Sequence, residues 1–524
     1  MHRRTALATI AGVLATPGLL AAQQTRTLRF VPQADLAILD PIVTTGLVTR
    51  NHGFMIFDTL YGVDEQFRPQ PQMVEGHLVE DNGLRWTLKL RESLRFHDNT
   101  PVLARDVVAS LRRWGAKDAF GASLFAVVDE IAAVDDRTVS LRLKAPFPLI
   151  PDCLGKVGSS TAVIMPERLA STNPNTPVKE MMGSGPFRFV AEEHVPGSRE
   201  VYARFPGYAS RPQAPSLLAG GKPVNFDRVE WQTIPDAATA AAALQRGEVD
   251  WVEQPLVDLL PMLRSDKAVT VAVIDPTGAV GVMRFNQLHP PFDNPEIRRI
   301  VLGAVSQGEF MRAVIGDDQS LWKVPCGYFP PGSPLANDEG IEALTRPRDL
   351  DASARMLKAA GYDGRPVTMM APTDFPSINA MSEVTRDLLT KIGMNVDYVA
   401  TDWGSALRRQ SNRDVPAKGG YNLFCTYSPG ITHYTPAAHN FLRGSGDKAT
   451  FGWSVSPRLE QLRDQWLAAP DDAARLSIAR QMQRQAFIDV PYVPLGLFLQ
   501  PTAYRRDIAG MMQGPPLFWN LRRG

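Results

Sequence analysis

"LRFHDNTPVLARDVVASLRRW", residues 94–114, passes from one periodicity to another within a few residues. Upstream, Trp86, Leu88 and Leu90 alternate with Arg85, Thr87 and Lys89, the period of a half-buried strand, and Leu94 and Phe96 read as the close of that strand. Asp98 and Asn99 make a turn, which Asn tolerates in left-handed geometry, and Pro101 leads into a helix. Its apolar stripe is Leu103, Val107, Leu111 and Trp114, at spacings of four, four and three. The adjacent His97 and Asp98 invite a catalytic or metal-binding reading. Their place at a strand-turn-helix junction gives them instead the role of satisfying local backbone and capping the turn.

The same grammar extends in both directions. "RTVSLRLKAPF" is a second alternating strand with Val139, Leu141 and Leu143 on one face, and "TLRFVPQADLAILDP" opens the chain with a strand at Leu28 and Phe30. "NHGFMIFDTLYGVD" carries a helical stripe at Phe54, Phe57 and Leu60 to Tyr61. From Met181 a glycine-rich crossing enters the strand 187–190, and Ala237 to Leu244 forms a helix that Gly247 caps before a short strand at 249–252. Helices are expected at 350–360, 382–392, 459–467 and 473–488, with strands at 367–370, 394–399 and over "YNLFCTY". Strands and helices in this alternation predict an α/β class.

A chain of 524 residues exceeds one ordinary core, so several domains or one discontinuous two-lobed body are expected. Lys and Arg number 56 against 55 for Asp and Glu, leaving a net charge of +1, which gives no footprint for nucleic acid. His2, Arg3 and Arg4 precede a weakly apolar run from Ala6 to Leu20, the pattern of an export signal ending near residue 22, with Sec and twin-arginine export both open. No later stretch is long and apolar enough to span a membrane. Cys153, Cys326 and Cys425 are widely spaced, form no metal knuckle or redox pair, and do not adjoin the signal where a lipid anchor would sit.

Four stretches, "LRESLRFHDNTPVLARDVVASL", "MMGSGPFRF", "LQRGEVDWV" and "RFNQLHPPFDNPEIRRIVLGAV", resemble the extracytoplasmic substrate-binding proteins of ABC importers, of the dipeptide/oligopeptide/nickel type (solute-binding family 5). Weaker segments such as "ARMLKAAGYDG" and "QAFIDVPYVPLGLF" follow in the same order, so the resemblance covers about 28–512. It implies a two-lobed periplasmic-binding-protein fold of type II, in the large subclass with an inserted domain. Lobe one would comprise 25–57, 182–275 and 497–524, the inserted domain 58–181 and lobe two 276–496. It also implies a monomeric periplasmic protein, neither enzyme nor lipoprotein. Such a protein needs no cofactor or metal and closes on a peptide-like or other small polar solute, which it delivers to an ABC permease in the inner membrane.

Within that template the specificity region is "GGYNLFCTY" with the loop "SPGITHYTPAAHNFLRG". Peptide binders of the family usually follow the strand-end aromatic with an Asp that pairs a peptide's α-ammonium. Here Tyr427 is followed by Ser428, Pro429 and Gly430, which weighs against an ordinary free-N-terminus peptide. The candidate ligand-binding residues are Thr45 (after the first-strand loop, beside Thr44), Ser184, Asn286, Tyr427, Ser428, His433 and Tyr434. Ser184 sits between Gly183 and Gly185, which read equally as cleft border or as a tight turn needing positive φ. His433 and His439 are six residues apart and not on one helix face, which disfavours joint metal ligation. Trp403 reads as core, and Arg298 and Arg299 as solvated helix charges. Two other classes stay open: a serine acyl enzyme using "SLWK", Ser320 with Lys323, which the following Val324-Pro325 opposes, and a stand-alone sensor.

Overall fold

The computed structural model describes residues 26–524; the export signal expected at 1–22 lies outside the described residues. Three sheets organise those residues. The first has seven strands, in the order Val269–Ala272, Thr502–Arg505, Trp251–Val252, Thr27–Val31, Arg228–Gln232, Arg199–Arg204 and Phe187–Phe189. Its central strand Thr27–Val31 pairs in parallel with both neighbours. Phe30 therefore meets Trp231 and Trp251 at 5.4 and 4.8 Å between ring centroids, and Phe518 from the C-terminal segment closes the cluster at 5.1 Å. Helix Ala237–Arg246 runs between two of these strands and ends on Gly247 at φ 74°, a left-handed cap as expected.

The second sheet has six strands, in the order Trp322–Lys323, Val493–Phe498, Ala279–Phe285, Leu423–Pro429, Val367–Pro372 and Val396–Thr401. Ala279–Phe285 is buried along its whole length, which is why "AVGVMRF" shows little alternation. Helices Gln307–Ile315 and Pro376–Lys391 pack against this sheet. The latter starts six residues before the expected 382, because Pro376 takes the first helical position, where its missing N–H is harmless.

The third sheet is antiparallel, with Val74–Glu80, Arg85–Leu90, Thr138–Leu143 and Val128–Ala133 in that order. Trp86 faces Leu141 and Leu88 faces Val139 in the register, and helix Ala104–Gly115 covers them with Val107, Leu111 and Trp114. Leu94 and Phe96 are buried but do not extend the strand, which ends at Leu90; a single bridge, Arg95 to Pro101, closes the turn. Asn99 adopts φ 67°, as its identity allows. Asp98 caps locally, accepting from the Thr100 amide at 3.0 Å and hydroxyl at 2.6 Å. His97 does not act locally: its amide donates to the Gly183 carbonyl at 2.9 Å, and its ring Nε2 lies 3.2 Å from the Gly185 carbonyl. The apparent dyad thus ties this third sheet to the glycine-rich crossing. Two further pairs of short strands, Tyr61–Val63 with Pro69–Pro71 and Ile508–Ala509 with Arg522–Arg523, complete the sheets.

Candidate functional site

The chain passes between the seven- and six-stranded sheets at 273–278 and again at 499–501. Beside the first passage lies a narrow cleft open to solvent, walled by Arg50, Glu65, Phe67, Asp275, Thr277 and Ile431 among others. Its walls come from the helix Leu47–Ile56, the segment around Val157, the passage itself and the loop after strand Leu423–Pro429. Crossovers beside a cleft permit hinge closure, and apolar walls with few charged groups suit a small solute.

Three charged side chains line the cleft: Arg50, Asp275 and, at its exposed rim, Glu65. Arg50 is 5% exposed, and its Nε and Nη2 both donate to Asn51 Oδ1, at 3.2 and 2.9 Å. Asn51 in turn donates to Glu253 Oε1 at 3.2 Å, while the other Glu253 oxygen accepts from the Gln33 amide at 2.8 Å. Burial pushes the Glu253 carboxyl up to about 7, against the lowering pull of these bonds and of Arg50. Asp275 holds one carboxylate oxygen against the Thr277 amide and hydroxyl, at 2.9 and 2.7 Å. Neither Arg50 nor Asp275 appeared among the sequence candidates, because neither stands in the specificity loop or in a motif. The one available signal was the run of three polar residues, Arg50, Asn51 and His52, inside an otherwise apolar helical segment.

None of the predicted residues lines this cleft; Tyr434 borders it through Phe67, and Tyr427 lies elsewhere between the sheets. Tyr427 ends the buried strand, lies between Phe375 and Phe498, and its hydroxyl meets the Gln254 side chain of the facing sheet. Tyr434 sets its ring on Phe67 at 5.0 Å, and burial, with Asp275 nearby, pushes its hydroxyl up to about 12. Trp403 packs on Phe375 at 5.9 Å, one ring removed from Tyr427.

The other candidates are placed differently. His433 is 1% exposed and directed into the protein, with Nε2 2.5 Å from Ser428 Oγ and Nδ1 3.4 Å from the Tyr492 hydroxyl. Both ring nitrogens are engaged, and the Ser428 hydroxyl is spent on the pair. His439 stacks on His433 at 4.1 Å and contacts the Tyr328 carbonyl and the Tyr492 hydroxyl, so the fold joins two rings that the spacing alone separated. Burial lowers both, His433 to about 3, which keeps them neutral packing groups.

Asn286 lies at the opposite end of the strand Ala279–Phe285 from the cleft. It is fully buried, bonded to the Tyr421 carbonyl at 3.0 Å and the Leu288 amide at 3.0 Å, leaving no group for a ligand. Ser184 is 4% exposed with an unpartnered hydroxyl. Its neighbours Gly183 and Gly185 do not have positive φ; a Cβ on either would fall 2.1 or 2.7 Å from the Ile56 carbonyl oxygen, so they serve a close backbone approach. Thr45 is exposed, and its carbonyl accepts from Ser159 Oγ at 2.7 Å. Arg298, expected on the surface, is 4% exposed and donates to the carbonyls of Phe292 and Asp489 at 2.7 and 2.6 Å, holding a helix terminus.

Ser320 stands on an exposed turn bonded to Asp318, and Lys323 belongs to the strand that follows, not to a shared helix. The three cysteines are buried and free.

These features define a two-lobed α/β binding protein of the periplasmic type, with no acyl-enzyme arrangement at Ser320. Residues 68–450 match the family described as bacterial extracellular solute-binding proteins, family 5 (middle), and the chain belongs to that family. The probable peptide ABC transporter periplasmic-binding protein y4tO of Sinorhizobium fredii (strain NBRC 101917 / NGR234) is 34% identical over 97% of this chain and 96% of its own length. The binding protein AgaA of A. tumefaciens R10, solved with agropinic acid, superposes with a TM-score of 0.81 at 22% identity, covering 95% of this chain and 99% of its own. DppA of Helicobacter pylori, solved with the peptide STSA, gives 0.78 at 20% identity over 96% and 99%. The chain is accordingly a solute-binding component of ABC transport and not an enzyme.

Proposed function

We propose that this protein is exported to the periplasm by its N-terminal segment, captures a small peptide-like or amino-acid-derived solute between two closing lobes, and presents it to an inner-membrane ABC permease. Lobe one would be built on the seven-stranded sheet (25–57, 182–275 and 497–524), lobe two on the six-stranded sheet (276–496), with 58–181 as the inserted domain. The observation that carries the reading is the cleft beside the crossover 273–278, which combines apolar walls with the buried Arg50 and the half-buried Asp275. The 34%-identical relative's name as a peptide transporter component supports the solute class.

A thermal-shift screen of the mature chain with amino acids, di- and tripeptides, opine-like conjugates, sugars and Ni²⁺ tests it. A ligand at a hundred times its dissociation constant stabilises the fold by about 2.7 kcal/mol. Amino-acid-derived compounds are expected to raise the melting temperature; stabilisation by sugars or Ni²⁺ alone contradicts the assigned solute class.

A further inference from the structure

Four large apolar side chains among the described residues stand on left-handed backbone: Phe67 at φ 59°, Leu217 at 51°, Trp453 at 48° and Val490 at 47°. A bulky residue is strained there, and a free turn takes Gly or Asn instead. Two of the four, Phe67 and Leu217, line the cleft beside the crossover. Strain of this kind persists only where surrounding bonds over-determine it. Around Phe67, the Asp64 carboxylate accepts from the amides of Gln66 and Arg68 at 3.0 and 2.9 Å, and the Phe67 amide donates to the Asp64 carbonyl at 2.9 Å. Around Leu217, Ser216 and Ala219 exchange backbone bonds at 3.0 and 2.8 Å. The two turns are also tied to each other: the Glu65 amide donates to Ser216 Oγ at 3.0 Å, and the Leu218 amide to the Val63 carbonyl at 3.1 Å. Gly514 makes the room, since a Cβ there would lie 2.4 Å from Leu217 Cδ1.

Both side chains belong to one apolar cluster with Phe54, Val63, Val157 and Trp519. Its members come from segments before 276 or after 497, with the exception of Ile431, from the loop that follows strand Leu423–Pro429. Tyr434 of the same loop sets its ring on Phe67 at 5.0 Å. That loop is fastened to the six-stranded sheet. The Gly430 amide donates to the Gly278 carbonyl at 2.7 Å, a Cβ on Gly430 would lie 1.9 Å from the Thr277 carbonyl oxygen, and Thr432 Oγ1 donates to the Pro429 carbonyl at 2.7 Å. Ile431 and Tyr434 therefore move with that sheet, whereas Phe67 and Leu217 stay on the other side of the cleft.

We propose that Phe67 and Leu217 form a pre-set apolar seat for Ile431 and Tyr434, so that contact across the cleft, and not solute alone, sets the balance between open and closed lobes. The strained backbone is present whether the lobes are apart or together, while contact with Ile431 and Tyr434 exists only when they are together. Fixing the wall in advance removes the ordering cost that a relaxed turn would incur at closure, which favours the closed state. The inference rests on the two-lobed reading above and adds to it a control on closure that lies in the chain itself.

Small-angle scattering of the mature chain, unfolded and refolded to strip any solute, tests this as a two-state mixture of the compact form described above and a hinge-opened one. Wild type is expected to keep a measurable compact fraction without solute. Phe67→Gly, Leu217→Gly and Ile431→Ser are each expected to raise the open-to-closed ratio at least about fivefold, with a larger radius of gyration. Tyr434→Phe keeps the ring contact and is expected to scatter as wild type. Ile431→Ser lies outside the strained turns and decides the matter where a glycine variant fails to fold. A wild-type chain that is wholly open, three variants that scatter as wild type, or a Tyr434→Phe chain as open as Ile431→Ser overturns the seat. None of these outcomes depends on which solute binds: failure of the thermal-shift screen leaves the seat standing, and failure of the seat leaves the solute-binding reading standing.

Discussion

Glu200 is fully buried in the seven-stranded sheet, and among the described residues neither of its carboxylate oxygens has a hydrogen-bond partner and its one potential counter-ion is the His194 ring, at 3.9 Å. Burial, with Asp35 adding repulsion, pushes this carboxyl from 4.5 up to about 7. A raised acid pKa means that the folded chain holds a proton the unfolded chain releases, so its contribution is fully present below about 4.5 and is lost as pH rises through 7. Glu200→Gln is therefore expected to be near neutral at pH 5 and stabilising at pH 8, on the order of 1–3 kcal/mol. Urea denaturation of both proteins at the two pH values checks this; a variant less stable at pH 8 contradicts it. Gly430 makes an opposite prediction. Restoring the family's acid by Gly430→Asp drives a side chain into the Thr277 carbonyl and is expected to cost at least about 2 kcal/mol in the same measurement, without improving affinity for peptides.

Among the elements, helix Ala104–Gly115 shows what a sequence can specify and what it leaves out. Its stripe and its entry from Pro101 were legible, as were the alternating strands Arg85–Leu90 and Thr138–Leu143, because each needs only a local period. Its tether was not. Arg113 donates to Asp40 at 2.8 Å with both side chains wholly buried, and Asp40 also accepts from the amides of Ile42 and Val178. That pairing joins residues 73 apart, beyond any periodicity. Removing one partner strands the other, so Asp40→Ala is expected to lose about 3–5 kcal/mol, read from the denaturation midpoint, whereas the exposed pair Arg246–Glu248 should lose less than about 1. The same limit explains the site. The strand ending at Tyr427 and the loop after it were legible, but the cleft's charged residues, Arg50 and Asp275, come together only when distant segments meet. His433 and Asn286 looked available because sequence shows a polar group without the carbonyls and hydroxyls that consume it.

At the scale of the molecule, function requires the lobes to part and close while the sheets remain intact. In the two-lobed reading proposed above, the passages at 273–278 and 499–501 are where backbone rotation would move one large sheet against the other without breaking a ladder. The described state brings the far walls together: a Cβ on Gly158 would lie 3.3 Å from the Thr432 methyl, and Arg443 donates to the Ala119 carbonyl at 3.2 Å. Side chains at these first two positions are in direct contact, the proximity that a disulfide between them needs. The double variant Gly158→Cys, Thr432→Cys is thus expected to cross-link on mild oxidation, the native thiols at 153, 326 and 425 being buried. Once oxidised, it should hold the cleft shut, so that a radiolabelled solute that stabilises the fold exchanges at least about tenfold more slowly, and reduction should restore the wild-type rate. Failure to cross-link would show that these walls do not meet in solution. Cross-linking with unchanged exchange would show that solute enters without separation of these walls, which would remove the hinge from the transport cycle.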